Sequence, residues 1–341
     1  MLGVSGYAGG ELVRLLWDHP EVELTFVGGK DSAGSTLGEV HPHLSELGQI
    51  RILPIDDLGL ISESAEVAFL ALPNGSSSGL APGLLDAGSK VIDLAGDFRL
   101  AATDYPTWYG FDHPAPGWLD EAAYGLPELF TERIADARLV ANPGCYPTPA
   151  ILGLAPLLAA GLIEPGPIRV DGKTGITGAG RAASGIGSFA ATEESIRPYR
   201  APGHQHTPEM ERGIRLASGK DIDVLFVPHL VPAVRGVLVS CYAVAAQGAT
   251  SSAVTECLSA TYDGEPFVRV LPAGSMVDSK RTRGSNMVEL QAFVDDRSGT
   301  AVVVGAVDNL IKGAAGQAIQ NLNLLIGADQ TTALPRLAMY P

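Results

Sequence analysis

Cysteine is scarce in this chain of 341 residues: Cys145, Cys241 and Cys257 are the only three, and no CxxC spacing occurs. A disulfide-built scaffold, a structural zinc site and a dithiol redox pair are therefore not expected, and a reducing cytoplasm fits best. Positive charge is also in short supply, with 23 Lys and Arg against 38 Asp and Glu, a formal net charge of −15. Nucleic-acid affinity comes largely from basic side chains that release condensed counterions, so nucleic acid and anionic membrane surfaces are excluded as partners. Any anion must be met locally, by single arginines, backbone N–H groups or helix N-termini. No run of about 18 apolar residues is present, and the first residues lack a basic segment followed by an apolar core, so neither a membrane span nor a leader is expected. Charged residues make up only 18% and hydrophobic ones 46%, which is the composition of a chain that folds.

The length exceeds what one hydrophobic core serves well, so two domains are expected. The first part alternates glycine-rich turns, helix-compatible stretches and short apolar runs at 67–72, 90–94 and 138–141, and Val22, Leu24 and Phe26 alternate as in a strand. Strands alternating with helices predict a mostly parallel sheet. After Cys145 an apolar helix is predicted over 147–161, followed by β-rich runs at 167–170, 224–227, 236–246, 267–271, 287–294 and 301–307. That texture predicts a second, α+β domain with a mixed or antiparallel sheet. Residues 309–326 read as one long helix. No internal repeat interrupts the order.

Gly3, Gly6 and Gly9 form a GxxGxxG relative of the dinucleotide fingerprint, where glycines admit a pyrophosphate and the following helix offers free N–H donors. About 20 residues on, Lys30 suits a 2′-phosphate and Asp31 a free 2′-hydroxyl. The reading leans to NADP, with a solvated turn as the plain alternative. Such a fingerprint follows a buried strand, and only Met1 and Leu2 precede Gly3. A start several residues inside the coding sequence is the expectation; an intact-mass measurement of the natively produced protein reporting Met1 as the N-terminus would reject it.

Asn142-Pro143-Gly144-Cys145-Tyr146-Pro147-Thr148 puts a thiol just ahead of an apolar helix, where the helix dipole lowers its pKa and raises the thiolate fraction. Cys241 and Cys257 lie in a strand run and a helix run and are read as core residues. Among the seven histidines, His204 and His206 share a polar loop before a helix start; His206 is the first choice for general acid/base and His204 the second. An HxH pair also resembles part of a metal site, but no acidic or cysteine partner stands at zinc spacing, so no metal is expected. His19 and His113 read as ordinary structural residues. Two further segments carry cations beyond strands: Asp171 to Arg181, a glycine-rich loop, and Asp93 to Arg99. Either arginine also suits a surface ion pair.

Together these segments resemble the N-acetyl-gamma-glutamyl-phosphate reductases of the aspartate-semialdehyde dehydrogenase superfamily. The resemblance runs nearly end to end, through GVSGYAGGEL, HPHL, ALPNGSS, DLAGDFRL, YGLPEL, NPGCYPT, DGKTGITGAGR, HQHTPEM, PHLVPAVRG, RGSNMVEL and VDNLIKGAAGQAIQNLN. It implies a Rossmann-type NADP-binding domain over 1–144, completed by the helix and tail 309–341, and a catalytic and dimerisation domain over 145–308. It implies NADPH-dependent reduction of N-acetyl-L-glutamyl 5-phosphate to the 5-semialdehyde and phosphate, in arginine biosynthesis, by a homodimer or homotetramer. Cys145 is then the nucleophile, with a thioester as intermediate, and a histidine manages the proton. Arg99, Arg181 and Arg235 are the substrate candidates. Gly3, Ser5, Gly6, Tyr7, Ala8, Gly9, Lys30, Ser32, Pro73, Gly178 and Asn309 are the cofactor candidates. The chain departs from the family pattern at Asn74, where His is more usual, at Gln205, where Arg is usual, and at Gly28 and Gly29, near the usual Ser-Arg pair. Lys30 is then the one cation left to meet a 2′-phosphate. Alternative readings are reduction of an aspartyl or carrier-linked aminoadipyl phosphate, a Cys/His hydrolase or acyltransferase, and a non-catalytic Rossmann sensor in which Cys145 is dispensable.

Overall fold

The computed structural model describes residues 1–181 and 188–340; Pro341, the last residue of the expected C-terminal segment, lies outside the described residues. Two compact units emerge, Met1–Pro143 with Ala314–Leu334, and Gly144–Gly313 with residues 335–340. The expected return of 309–341 to the first unit is thus partial. Residues 309–313 and 335–340 stay with the second, where Pro335 O accepts from the Asn286 N–H at 2.8 Å and the Met339 N–H donates to Arg283 O at 2.8 Å.

In the first unit β1 (Val67–Leu70), β2 (Lys90–Asp93), β3 (Ala123–Tyr124) and β4 (Leu139–Ala141) form a parallel sheet in the order β1-β2-β4-β3. Their sequences are nearly all apolar because parallel strands are covered on both faces. Helices α1 (Tyr7–Trp17), α2 (Ser77–Asp86) and α3 (Pro127–Ala135) supply cover, and Leu12, Leu15 and Leu16 of α1 are buried as their spacing predicts. Single parallel bridges extend the sheet, from Leu70 to Leu2, from Leu2 to Gly28 and from Gly28 to Leu53. The strand expected at 22–26 does not form. A strand needs a partner along its length, and these residues instead line a cavity of about 460 Å³ with Met1, Val67 and Phe69.

The long helix expected from Asn309 is also modified: Ile311–Ala315 is a π-helical turn, and the α-helix proper follows at Gly316–Ile326. That last helix, buried on most sides, docks through amides as well as apolar residues. The Gln317 and Asn321 side chains donate to Gly125 O at 2.6 and 2.9 Å, and Asn321 also donates to Asn142 Oδ1 at 3.0 Å.

The second unit holds β5 (Ile168–Thr174), β6 (Arg197–Pro198), β7 (Val224–Leu230), β8 (Val237–Val244), β9 (Val268–Val270), β10 (Val288–Asp295) and β11 (Thr300–Val307). They make one mixed sheet in the order β6-β7-β5-β8-β11-β10-β9, so every β-rich run read from the sequence is present. α4 (Pro147–Ala159) packs on one face of this sheet with α5 (His206–Ser218) and α6 (Ser251–Thr261) beside it. Its residues 147–158 are all buried, as expected for a helix apolar on every side. The other face is open. Along one register row Leu225, Arg169, Tyr242, Val302 and Phe293 stand side by side on β7, β5, β8, β11 and β10. All but the half-buried Val302 are exposed.

Candidate active site

Cys145 lies two residues before the first residue of α4, half-buried, at the positive end of the helix. Two glycines let other groups close on it. A Cβ on Gly144 would stand 2.5 Å from His206 Nε2, and a Cβ on Gly313 would stand 2.7 Å from the Cβ of Cys145. The imidazole therefore lies against the backbone beside Cys145, and the π-helical turn backs onto Cys145 itself.

His206 is the first residue of α5, and Glu209 follows one turn later on the same helix face. Glu209 is fully buried; its Oε1 accepts from the Gly144 N–H at 2.7 Å and its Oε2 lies 4.0 Å from His206 Nε2. One carboxylate thus holds both the turn that carries the thiol and the imidazole next to it. Sequence reasoning passed over Glu209, although the His-x-x-Glu spacing at a helix start was there to find it.

His204 has a different setting. It is 5% exposed, packed edge-on against Tyr146, Tyr199 and Phe226, and its Nδ1 accepts the His206 N–H at 3.1 Å. Burial, with His206 beside it, pushes this imidazole down to about 2. A neutral ring that accepts at Nδ1 carries its proton at Nε2 and braces the start of α5. Because the folded value lies below the unfolded value of about 6.5, stability is complete above pH 6.5 and falls as pH drops toward 2. Between pH 6.5 and 4.5 the loss attributable to His204 is expected to be roughly 2–3 kcal/mol. Urea unfolding across that range, repeated with His204→Gln, measures it, and an equally steep slope in the variant would contradict the assignment.

Tyr199 donates to the Tyr146 hydroxyl at 3.3 Å, and burial raises both phenols, so they stay protonated. Of the other cysteines, Cys241 is buried in β8 and pushed up to about 12, as a core residue should be. Cys257 departs from that expectation: it is half-buried on α6, with its sulfur 3.7 Å from Pro156 O.

The glycine-rich loop after β5 is fastened by Asn309, whose Nδ2 donates to Thr177 Oγ1 at 3.0 Å while its Oδ1 accepts from the Gly236 N–H at 2.8 Å. Both ends of this buried amide are engaged, so Asn309 ties the loop to the backbone at Gly236. Gly178 is exposed on the same loop, and Arg181 is exposed where its described part ends. Arg235 lies 3.7 Å from the buried Asp308.

In the first unit Gly3 takes a φ of +86° and lies tight against Ala71 O, and Gly9 packs on the backbone of Gly3 and Val4. A Cβ on Gly6 would meet only Gly3 O, at 3.8 Å, so the space before the first turn of α1 is open. Ser5, Tyr7 and Ala8 flank that opening. Lys30 is exposed, while Ser32 Oγ is buried with no partner among the described protein atoms. Pro73 and Asn74 are exposed, and Asn74 Oδ1 accepts from the Gly96 N–H at 3.0 Å. Arg99 is 6% exposed at the carboxyl end of β2, donating to Asn142 O and Leu94 O, both at 2.8 Å. Burial and neighbouring Asp97 push Asp93 up to about 7. His19 and His113 hold structural bonds, to Asn323 Oδ1 at 2.8 Å and Asp97 O at 2.7 Å. Among the described residues no helix is long and apolar enough to cross a membrane.

The NAD binding domain of semialdehyde dehydrogenases matches residues 1–137, and their dimerisation domain matches residues 145–309. The class is thereby set: a semialdehyde dehydrogenase with a NAD(P)-binding unit. N-acetyl-gamma-glutamyl-phosphate reductase of Magnetococcus marinus is 46% identical over 342 residues, covering 100% of this chain and 98% of that protein. The enzyme of the same name from Desulforudis audaxviator is 45% identical over 342 residues, covering 100% and 99%. The chain belongs to the N-acetyl-gamma-glutamyl-phosphate reductase family. Aspartate semialdehyde dehydrogenase with NADP from Candida albicans shares the fold, with a TM-score of 0.69 at 18% identity over 95% of this chain and 97% of that one.

Proposed function

We propose that this protein is a cytoplasmic enzyme that reduces N-acetyl-L-glutamyl 5-phosphate to N-acetyl-L-glutamate 5-semialdehyde and phosphate, using NADPH, in arginine biosynthesis. The observation that carries the reading is the juncture of Cys145, His206 and Glu209, where a helix-start thiol, an imidazole and a carboxylate converge through Gly144. His206 takes the thiol proton, and the buried Glu209 offsets the charge this puts on the ring. The thiolate adds to the acyl carbon, the C–O bond to phosphate breaks with the departing oxygen taking a proton from solvent, and a thioester on Cys145 results. NADPH, when bound, supplies the hydride that reduces the thioester carbonyl. As the C–S bond breaks, His206 returns its proton to the sulfur and the aldehyde leaves. His204, neutral and buried, keeps the start of α5 in place throughout.

The residues of the first unit fit a dinucleotide. Open space before Gly6 and the free first-turn N–H groups at Tyr7 and Ala8, with Ser5 beside them, suit a pyrophosphate. The unpartnered Ser32 Oγ and exposed Lys30 suit a 2′-phosphorylated ribose, which favours NADP over NAD, and Pro73 is a further contact. Arg99, Arg181 and Arg235 are assigned to the substrate's phosphate and carboxylate. The open sheet face, with its row from Leu225 to Phe293, is assigned to a second copy of the chain in a homodimer or homotetramer.

The test is the reverse reaction, with N-acetylglutamate semialdehyde, inorganic phosphate and either NADP or NAD, followed by nicotinamide absorbance. Phosphate-dependent reduction of NADP, well ahead of NAD, is the expected result. No turnover with either cofactor would overturn the reading, and phosphate-independent ester hydrolysis would point to a Cys/His hydrolase.

A further inference from the structure

Asp308 sits at the end of β11, wholly buried, and its carboxylate joins three separate segments of the second unit. Its Oδ1 accepts the N–H groups of Leu310 and Ile311 at 2.8 and 3.2 Å, which fixes the entry to the π-helical turn. Its Oδ2 accepts the N–H of Gly284 at 2.7 Å and faces Arg235 Nη1 at 3.7 Å. Its backbone oxygen accepts from the N–H of Gly313, the residue that backs onto Cys145, at 2.9 Å. A distance of 3.7 Å lies outside hydrogen-bonding range but within that of an ion pair. The charge of Asp308 thus orients the guanidinium, whose planar fork of donors suits an oxyanion. Next in the chain, the Gly236 N–H is held by Asn309, so the backbone that carries Arg235 is anchored to the same stretch as Asp308.

We propose that Asp308 is a positioning residue for substrate binding, holding Arg235 and the turn behind Cys145 in a fixed relation so that the guanidinium meets an oxyanion of the substrate. The inference rests on the assignment of Arg235 to the substrate in the proposed function. Its role is binding: chemistry at the thiol stays with His206 and Glu209.

Protection of Cys145 from iodoacetamide reads anion binding without turnover, with N-acetylglutamate and inorganic phosphate as separate probes. In Asp308→Asn, which keeps an oxygen acceptor but removes the charge, the protecting concentration of one probe is expected to rise about tenfold. The unprotected alkylation rate should stay within about twofold, since Asp308 does not govern the thiolate. Arg235→Gln should give the same rise for the same probe, and the double variant no more than either single one, because both act through one contact. The probe that shifts tells whether Arg235 meets the carboxylate or the phosphate. If Asp308→Asn does not fold, Asp308→Ser, which retains a small acceptor, takes its place, and failure of both to fold would make Asp308 purely structural and overturn the proposal. Unshifted protection, or additive shifts in the double variant, would overturn it while leaving the proposed function intact. Absence of protection in the wild type by either probe would remove both.

Discussion

Replacing Cys145 by serine is expected to lower kcat/KM by about 10⁴-fold or more while leaving the thermal midpoint within about 2 °C. The two side chains differ little in size, and Cys145 is half-buried at a helix start, so neither packing nor capping changes much. What changes is the proposed nucleophile. A serine hydroxyl is not ionised by a helix dipole and a nearby imidazole to the extent that a thiol is, and an ester accepts hydride less readily than a thioester. Substrate binding should survive, because the arginines assigned to it are untouched. Equilibrium binding of NADPH to the variant, measured by fluorescence, should match the wild type, and retained turnover would sink the thioester mechanism.

The second large effect is expected at a residue with no side chain. Gly144→Ala should reduce kcat by roughly 100-fold or more, since a displacement of about 1 Å at reacting groups costs that much. The added methyl would lie 2.5 Å from His206 Nε2. An imidazole has two side-chain torsions and can swing aside, so the protein is expected to fold, but the ring would leave its place beside Gly144, from which the proposed mechanism has it take the thiol proton. The signature is a loss confined to kcat and to the pH profile, with KM little altered. A variant that keeps wild-type kcat would mean that His206 does not act from the position described. His206→Ala, compared alongside, should lose a similar factor, and combining the two changes should add little.

Much of this was legible in the chain because it is local. The thiol before an apolar helix, the His pair at a helix start, and each β-rich run of the second unit depend on neighbours within about ten residues. What was not legible depends on partners far away. Val22, Leu24 and Phe26 alternate like a strand, yet a ladder needs a neighbour along its length, and the bridges to Leu2 and Leu53 form only at Gly28. The two bonds by which Asn309 ties down the glycine-rich loop are to residues 73 and 132 positions away in the chain. Glu209 and Asp308 gain their meaning from Gly144 and Arg235, separated from them by 65 and 73 positions. A pattern of residue types carries no record of such meetings.

The amide-bearing helix at Gly316–Ile326 has a consequence for the order in which the molecule comes together. It belongs to the unit that begins at Met1, yet some 170 residues of the other unit intervene before it is made. During synthesis the leading unit emerges first and must wait, with the carbonyl of Gly125 and the side chain of Asn142 lacking the donors that Gln317 and Asn321 bring. The unit encoded in the middle has its whole sheet available as soon as β11 leaves the ribosome. The leading unit therefore keeps an unfinished core for the whole time the middle of the chain is being made, and that core is a natural place for a chaperone to bind.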